Sequence, residues 1–422
     1  MQSYIRSRTG CRSRKALDAW QTERVREAME YARTHSAFYK RHLKGIDADT
    51  IRTYGDPEKI PLTPSEALRE RPQDFLCIPA SRVDRIVTLF SSGTTGRAKR
   101  IFFTASELEN TIDFFRHGMR TLADPGDTVM ILFPCDTPDG IGDLLSRGLS
   151  RAHITSIPHG PVADIGETCE RILETKSNVL VGIPVQILAL AEYIASDEAL
   201  SEQIAIKSVL LSADTTPPAL CRRIEKLLMC DVYTHFGMTE AGYGMAIDCD
   251  AHQGLHIREE ALLVEVIDPE SGAVLKPGEQ GEFVLTTLAR EAMPLIRYRT
   301  GDLGLLETGK CACGSFVKRM LPSGGRKNRM VMLPDGRQIT QWEADEAVFG
   351  ITGIVDYQIR QTEDAFEMTV LSVRPLTRDA LYNSLMRAGF LQPEGSGNTK
   401  LLLQVIGGFS ETGTVKRRVQ RT

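Results

Sequence analysis

Between Val83 and Thr234, short apolar runs of strand character alternate with stretches of helical periodicity, and this alternation restricts the fold more than any other feature. The strand-like runs are Val83 to Phe90, Thr128 to Pro134, Asn178 to Ile183, Ile206 to Ser212 and Asp231 to Thr234. The helical intervals are Ser106 to Leu122, Ile165 to Thr175, Pro184 to Ala195 and Pro218 to Leu228, the last opening on a proline suited to a first turn. Such a pattern builds parallel, doubly wound α/β units, so the expected fold class is α/β.

Upstream, residues 16 to 44 carry apolar positions at helical spacing (Leu17, Trp20, Val25, Met29, Ala32). After residue 260 the texture changes. Ala261 to Asp268 and Gly281 to Leu288 are β-rich and flank turn signals at Pro269 to Gly272 and Lys276-Pro277-Gly278, which marks a small β module over about residues 257–322. A last segment mixes strands (Phe366 to Val373, Lys400 to Ile406) with a helix (Arg378 to Ala388). The Gly- and Arg-rich stretch Ser323 to Lys327 is the expected boundary between a large domain, 1–325, and a small mobile α+β domain, 326–422.

Composition removes several functional classes. With 51 Lys and Arg against 55 Asp and Glu, the net charge is -4, which gives no global attraction to nucleic acid or anionic membrane. No apolar run approaches the roughly 18 residues of a membrane span. Met1 to Lys15 is basic without an apolar core, and reads as a solvated arm rather than a secretory signal. Nine cysteines, odd in number and mostly scattered, fit reduced thiols in a cytoplasmic protein.

Ser91-Ser92-Gly93-Thr94-Thr95-Gly96-Arg97-Ala98-Lys99 directly follows a strand-like run. Glycines let a backbone approach an oxyanion closely, successive N–H groups and hydroxyls can surround a phosphate, and Lys99 adds a positive charge at the rim. The spacing matches neither G-x-x-x-x-G-K-[ST] nor G-x-G-x-x-G. A surface turn rich in Ser, Thr and Gly is the plain alternative.

Together with Tyr233-Thr234-His235-Phe236-Gly237-Met238-Thr239-Glu240 and Tyr298-Arg299-Thr300-Gly301-Asp302-Leu303-Gly304, this loop resembles the signatures of the acyl-adenylate-forming superfamily. The helix Glu23 to Arg33, Ser36-Ala37-Phe38-Tyr39, Ile60-Pro61-Leu62-Thr63 and Gly254-Leu255-His256-Ile257 resemble its phenylacetate–CoA ligase branch. The resemblance covers nearly the whole chain from about Leu17. It implies an AMP-forming acid–CoA ligase that uses ATP, magnesium and CoA on an aryl or related carboxylic acid, with no nucleic-acid or membrane partner and with a homodimer left open. Adenylyl transfer to a small molecule without CoA, and a ligand-binding or resistance protein with weakened turnover, are the alternatives.

By the same resemblance, Ser91 to Gly96 and Lys99 would hold the β- and γ-phosphates, Thr239 would contact the α-phosphate and Glu240 would hold magnesium. Ser212-Ala213-Asp214 would lie beside the adenine, with His235, Phe236, Gly237 and Met238 completing the nucleotide site. Asp302 and Arg326 would reach the ribose. The acyl pocket would draw on Phe133, Cys135 and Gly140 from one segment and on Ala241, Gly242 and Tyr243 from another. Asp136 and Asp139 either face that pocket or are solvated loop residues. Two departures stand out: Asn328 takes a hinge position usually acidic in the family, and Thr414 stands where a C-terminal catalytic lysine is usual, leaving Lys416 as the nearest ammonium.

Cys249-x-x-His252 and Cys311-x-Cys313 flank the β module and supply the four ligands of a structural zinc, with His256 as an alternative fourth ligand. Three ordinary reduced thiols and a surface histidine are the plain alternative.

Overall fold

The computed structural model describes residues 1–53, 55–89, 98–327, 329–362, 365–392, 400–407 and 419–421. The described chain forms two compact units, one of Met1–Thr121 with His235–Ser323 and the other of Leu122–Thr234 with Gly324–Thr422. The α/β class expected from the sequence is borne out.

In the first unit the helix Arg14–His35 starts where the Ser13 hydroxyl accepts from the Ala16 amide, and it buries Leu17, Val25, Met29 and Ala32 along one face. Residues 1–15 depart from the expected solvated arm. Gln2–Thr9 is a helix that buries Tyr4 and Ile5 completely or nearly so, and Arg14 reaches the buried Glu259 at 2.6 Å. Two adjacent apolar side chains and a buried counter-ion outweigh the surrounding basic charge. The helix Ala105–Met119 opens with a full capping box between Thr104 and Glu107. An antiparallel set follows in the order Leu262–Ile267, Gly281–Thr287, Tyr298–Glu307, Arg319–Arg326, Leu255–Ile257, Ala246–Ile247. The fourth of these strands ends beyond Ser323, in residues of the other unit.

The strand ahead of the glycine-rich loop differs from the parallel role expected for it. Arg85–Leu89 pairs antiparallel with Lys99–Phe103, Leu89 opposite Lys99, in a two-stranded sheet of its own. The reason is length: a parallel return needs a crossover of a dozen or more residues, and fewer separate these two strands.

The second unit holds the parallel sheet, in the order Thr155–Pro158, Thr128–Ile131, Val179–Gly182, Ser208–Leu211 and the strand that starts at Asp231. The middle strands are buried throughout, as expected where helices cover both faces. Elements not anticipated include the strand Thr155–Pro158 and the helix Ile141–Arg151 before it. The C-terminal residues add a four-stranded sheet, in the order Lys400–Gly407, Ala365–Ser372, Ile354–Gln361, Val419–Arg421, with the helices Gln341–Phe349 and Arg378–Arg387. One apolar core joins Leu180, Ile187, Val209 and Leu220 to Val348, Phe349, Ile354 and Met368. Each such side chain contributes about 1.5–3 kcal/mol on burial. Among the described residues no helix is long and apolar enough to cross a membrane.

Candidate functional site

The strand Asp231–Phe236 delivers His235 and Phe236 to a tight turn in the first unit. Its last two residues pair antiparallel with Ala246–Ile247. Gly237 follows, then a single 3-10 turn, Thr239–Ala241, closed by Gly242 at φ 85°. The Tyr243 amide donates back to the Met238 carbonyl at 3.0 Å, and Tyr243 itself sits at φ 68°. A Cβ on Gly237 would lie 1.9 Å from the Tyr243 carbonyl oxygen, and one on Gly244 would lie 2.3 Å from the Phe114 ring, so both positions need glycine. The turn is over-determined by these contacts, and a strained backbone held this firmly is the kind that functional sites use.

Within this turn Glu240 is buried, and Lys99 reaches it from the start of the Lys99–Phe103 strand, Nζ 2.8 Å from Oε1. The same ammonium donates to the Tyr298 hydroxyl at 2.7 Å. The two charged side chains are only 14% and 7% exposed. A buried carboxylate is tolerable when a cation and hydrogen bonds accompany it, and strongly unfavourable without them. Burial drops the His235 imidazole to about 4, so the ring is neutral at physiological pH. Tyr243 stacks on Phe103 at 5.3 Å, and the Arg290 guanidinium lies 4.4 Å from the centre of the Phe103 ring. Asp302 follows Gly301, which has φ 78°, and donates its amide to the Thr300 hydroxyl.

Lys99, His235 to Tyr243 and Asp302 therefore share the first unit, whereas Phe133, Cys135, Gly140, Ser212 to Asp214 and Arg326 belong to the second. There Ser212 is nearly buried, Ala213 takes φ 74° without being glycine, and the Asp214 carboxylate accepts from the Thr215 amide at 2.9 Å. The Cys135 thiol donates to the Phe133 carbonyl at 3.0 Å, and Gly140 precedes the first turn of Ile141–Arg151. Asp136 is exposed, and Asp139 pairs with Arg147 at 2.7 Å. Arg326 ends its strand exposed. Ser91 to Gly96, Asn328, Thr414 and Lys416 lie outside the described residues.

A second cluster, also in the first unit, brings Cys249, His256, Cys311 and Cys313 together, each offering one donor atom within 4.8 Å of the others. This corrects the expectation that His252 is the fourth member. The His252 ring is 41% exposed and its Nδ1 lies 2.9 Å from Asp248 Oδ2, while His256 Nε2 lies 3.3 Å from the Cys313 sulfur. The cause is the pairing of Leu255–Ile257 with the strand Arg319–Arg326, which sets His256 opposite Arg319, close after the two downstream cysteines. The Cys249 and Cys311 sulfurs are 3.8 Å apart, too far for a disulfide. Gly314, at φ 88°, donates its amide to the Cys311 carbonyl and so folds a knuckle under the pair. Burial lowers His256 to about 4, leaving the neutral imidazole that metals bind.

A family profile described as AMP-binding enzyme matches residues 10–288, and the chain belongs to that family. Within it the chain falls in the phenylacetate–CoA ligase branch of the adenylate-forming superfamily, as Glu23 to Arg33, Ser36 to Tyr39, Ile60 to Thr63 and Gly254 to Ile257 implied. A phenylacetate-coenzyme A ligase of Thermus thermophilus is 29% identical over 382 residues, covering 87% of this chain and 84% of that protein. One from Escherichia coli is 27% identical over 328 residues, covering 75% and 72%. Among solved structures, a 2-hydroxyisobutyryl-CoA ligase in the postadenylation state is 22% identical with a TM-score of 0.81, covering 96% of this chain and 89% of that one. An anthranilate CoA ligase, at 14% identity and a TM-score of 0.54, shares the fold over 77% of this chain.

Proposed function

We propose that the chain is an ATP-dependent, AMP-forming acid–CoA ligase that joins a carboxylic acid of aryl or related type to AMP and then transfers the acyl group to CoA. The observation that carries this reading is the Lys99–Glu240–Tyr298 constellation at the strained turn, with Lys99 and Glu240 inside the residues matched by the family. A carboxylate kept out of water beside a lysine from the end of a phosphate-type loop fits exchange of that lysine for other cations. Glu240 would hold magnesium together with phosphate oxygens, and the ion, when bound, would neutralise charge developing on the phosphates. Lys99, released from Glu240, would donate to a phosphate oxygen. Thr239 would donate to the α-phosphate, Asp302 would accept from the ribose hydroxyls, and neutral His235 would wall the pocket without adding charge. Arg326 and the Ser212–Asp214 loop would supply the remaining nucleotide contacts.

The four soft donors fit structural zinc. Two sulfurs each about 2.3 Å from a tetrahedral zinc stand about 3.8 Å apart, and Cys249 and Cys311 are separated by 3.8 Å. Cys249, His256, Cys311 and Cys313 would hold the ion. A hinge at Gly325-Arg326 and Asn328, with 326–422 turning as a small domain between the two half-reactions, belongs to the same reading, as does residence in a reducing cytoplasm. Pyrophosphate release from ATP with a panel of acids, with and without CoA, tests it. CoA-dependent AMP formation is expected. CoA-independent transfer of the nucleotide, or binding of ligand without pyrophosphate, would replace it with adenylyl transfer or with a binding protein.

A further inference from the structure

Asp345 is fully buried on the helix Gln341–Phe349, in the C-terminal part of the second unit. Its Oδ2 accepts from the Thr215 hydroxyl at 2.5 Å and its Oδ1 accepts from the Tyr357 hydroxyl at 2.6 Å. A carboxylate shielded from water and met by two neutral donors forms short, charge-assisted bonds with a fixed direction. Tyr357 belongs to the strand Ile354–Gln361, so one end of the arrangement is anchored in the C-terminal sheet. The other end, Thr215, stands directly after Ser212-Ala213-Asp214, where Ala213 is held at φ 74° and Asp214 accepts from the Thr215 amide.

The neighbouring polar contacts have a different role. Glu346 accepts from the Ala219 amide at 2.7 Å and pairs with the exposed Arg222. Arg223 donates to the carbonyls of Phe349, Ile351 and Ile354 and pairs with the buried Glu192, which also meets Arg374. These bonds, with the shared apolar core, fasten the helix Pro218–Leu228 to the C-terminal residues. Asp345 alone among them reaches past that helix to the loop after the strand Ser208–Leu211.

We propose that Asp345 is a positioning residue for the nucleotide: by holding Thr215 it fixes the strained Ser212–Asp214 loop in the shape that receives the adenine. The inference rests on the reading of that loop as the adenine side of the nucleotide site. It goes beyond it in making nucleotide affinity depend on a carboxylate carried by the C-terminal segment, downstream of the proposed hinge. Asp345 touches no reacting atom, so its loss acts on affinity rather than on chemistry.

The test uses the full chain and two readouts, direct binding of ATP and AMP by calorimetry and acid-dependent pyrophosphate exchange. Thr215→Val removes the hydroxyl at nearly constant volume and should raise the ATP dissociation constant and KM roughly tenfold, the size of one lost hydrogen bond to a charged group, with kcat within about twofold. Thr215→Ser should restore affinity. Asp345→Asn should weaken binding too, and the double variant should be no worse than the weaker single one, because both remove the same link. Unchanged ATP affinity in Thr215→Val, additive losses in the double variant, or a loss confined to kcat would each overturn the proposal. If wild-type chain binds nucleotide but shows no exchange with any acid, the ligase reading fails while the calorimetric arm still decides on Asp345. A chain that binds no adenine nucleotide overturns both.

Discussion

Replacing Lys99 by Met should destabilise the nucleotide-free protein, and removing the charge of Glu240 as well should recover much of the loss. The pair has Nζ 2.8 Å from Oε1, with the two side chains 14% and 7% exposed. At that depth the attraction is several kcal/mol, about 4 kcal/mol for unit charges 4 Å apart at an effective dielectric near 20. Desolvation of both groups offsets most of it, so the pair itself adds little net stability. Breaking it is another matter. Lys99→Met leaves the Glu240 carboxylate buried without its cation, and removal of one partner of such a pair costs about 3–5 kcal/mol. The expected loss is therefore about 3 kcal/mol or more.

Glu240→Gln in the Lys99→Met background then exchanges a stranded charge for an amide, and about half of that loss should return. Urea midpoints of the four proteins, read by fluorescence and circular dichroism without nucleotide, give the cycle. On the proposed function, pyrophosphate exchange should fall by roughly 10²-fold or more in both single variants, because each would remove a group proposed to meet phosphate charge. The reasoning fails if Lys99→Met is as stable as wild type, or if the double variant is less stable than Lys99→Met alone. Loss of stability with normal exchange would separate the pair from catalysis and leave it as a structural bridge.

Metal analysis should find about one zinc per chain, lost with a lowered melting temperature in Cys311→Ser and His256→Ala and retained in His252→Ala; a metal-free wild type of equal stability would leave the cluster as plain thiols. His235, held near 4 by burial against about 6.5 in the unfolded chain, contributes stability that is complete above pH 6.5 and is lost as pH falls toward 4. Denaturation between pH 6.5 and 4 should therefore lose about 1.4 kcal/mol per pH unit from this residue, and His235→Asn should remove that part of the slope; an unchanged slope would show that the ring is protonated in the folded state. Lys416→Ala should lower adenylation by roughly 10²-fold or more and spare thioesterification from a pre-formed acyl-adenylate, whereas equal loss in both steps would assign the tail a structural role.

How much of this could be read from the sequence varied with the range of the interaction involved. The parallel strands Thr128–Ile131, Val179–Gly182 and Ser208–Leu211 were legible because burial on both faces demands continuous apolar runs. Thr155–Pro158 was not, since it is short, lies at the sheet edge, is only partly buried and opens on the polar pair Thr155-Ser156. The turn at Gly237 to Tyr243 was legible through its glycines, yet nothing local joins Glu240 to Lys99 across so much intervening chain. The fourth member of the cysteine cluster shows the same limit. His252 lies at the short spacing that sequence reasoning favours, but the pairing of Leu255 with Met320 and of His256 with Arg319 decides the outcome. Asp345 gave no signal at all, because an Asp on a short helix reads as solvated until its neighbours are known.

Each candidate segment nonetheless follows the carboxyl end of its own strand. Phe133 to Gly140 follows the end of Thr128–Ile131, Ser212 to Thr215 follows the end of Ser208–Leu211, and Gly237 to Tyr243 follows the end of Asp231–Phe236. In open α/β sheets the carboxyl ends of the strands are where ligands bind, because the chain must leave each strand there through a loop before its helix begins. These loops depart from ordinary backbone in the same way: Asp139, Ala213 and Tyr243 all take positive φ without being glycine. Each such residue is held by a hydrogen bond or a close contact a few residues away, at Asp143 for Asp139, at Thr215 and Asp345 for the loop of Ala213, and at Met238 for Tyr243. Strain of this kind persists only where surrounding structure imposes it. At the end of Ser208–Leu211 the imposing structure includes Asp345, which is carried by the C-terminal helix Gln341–Phe349.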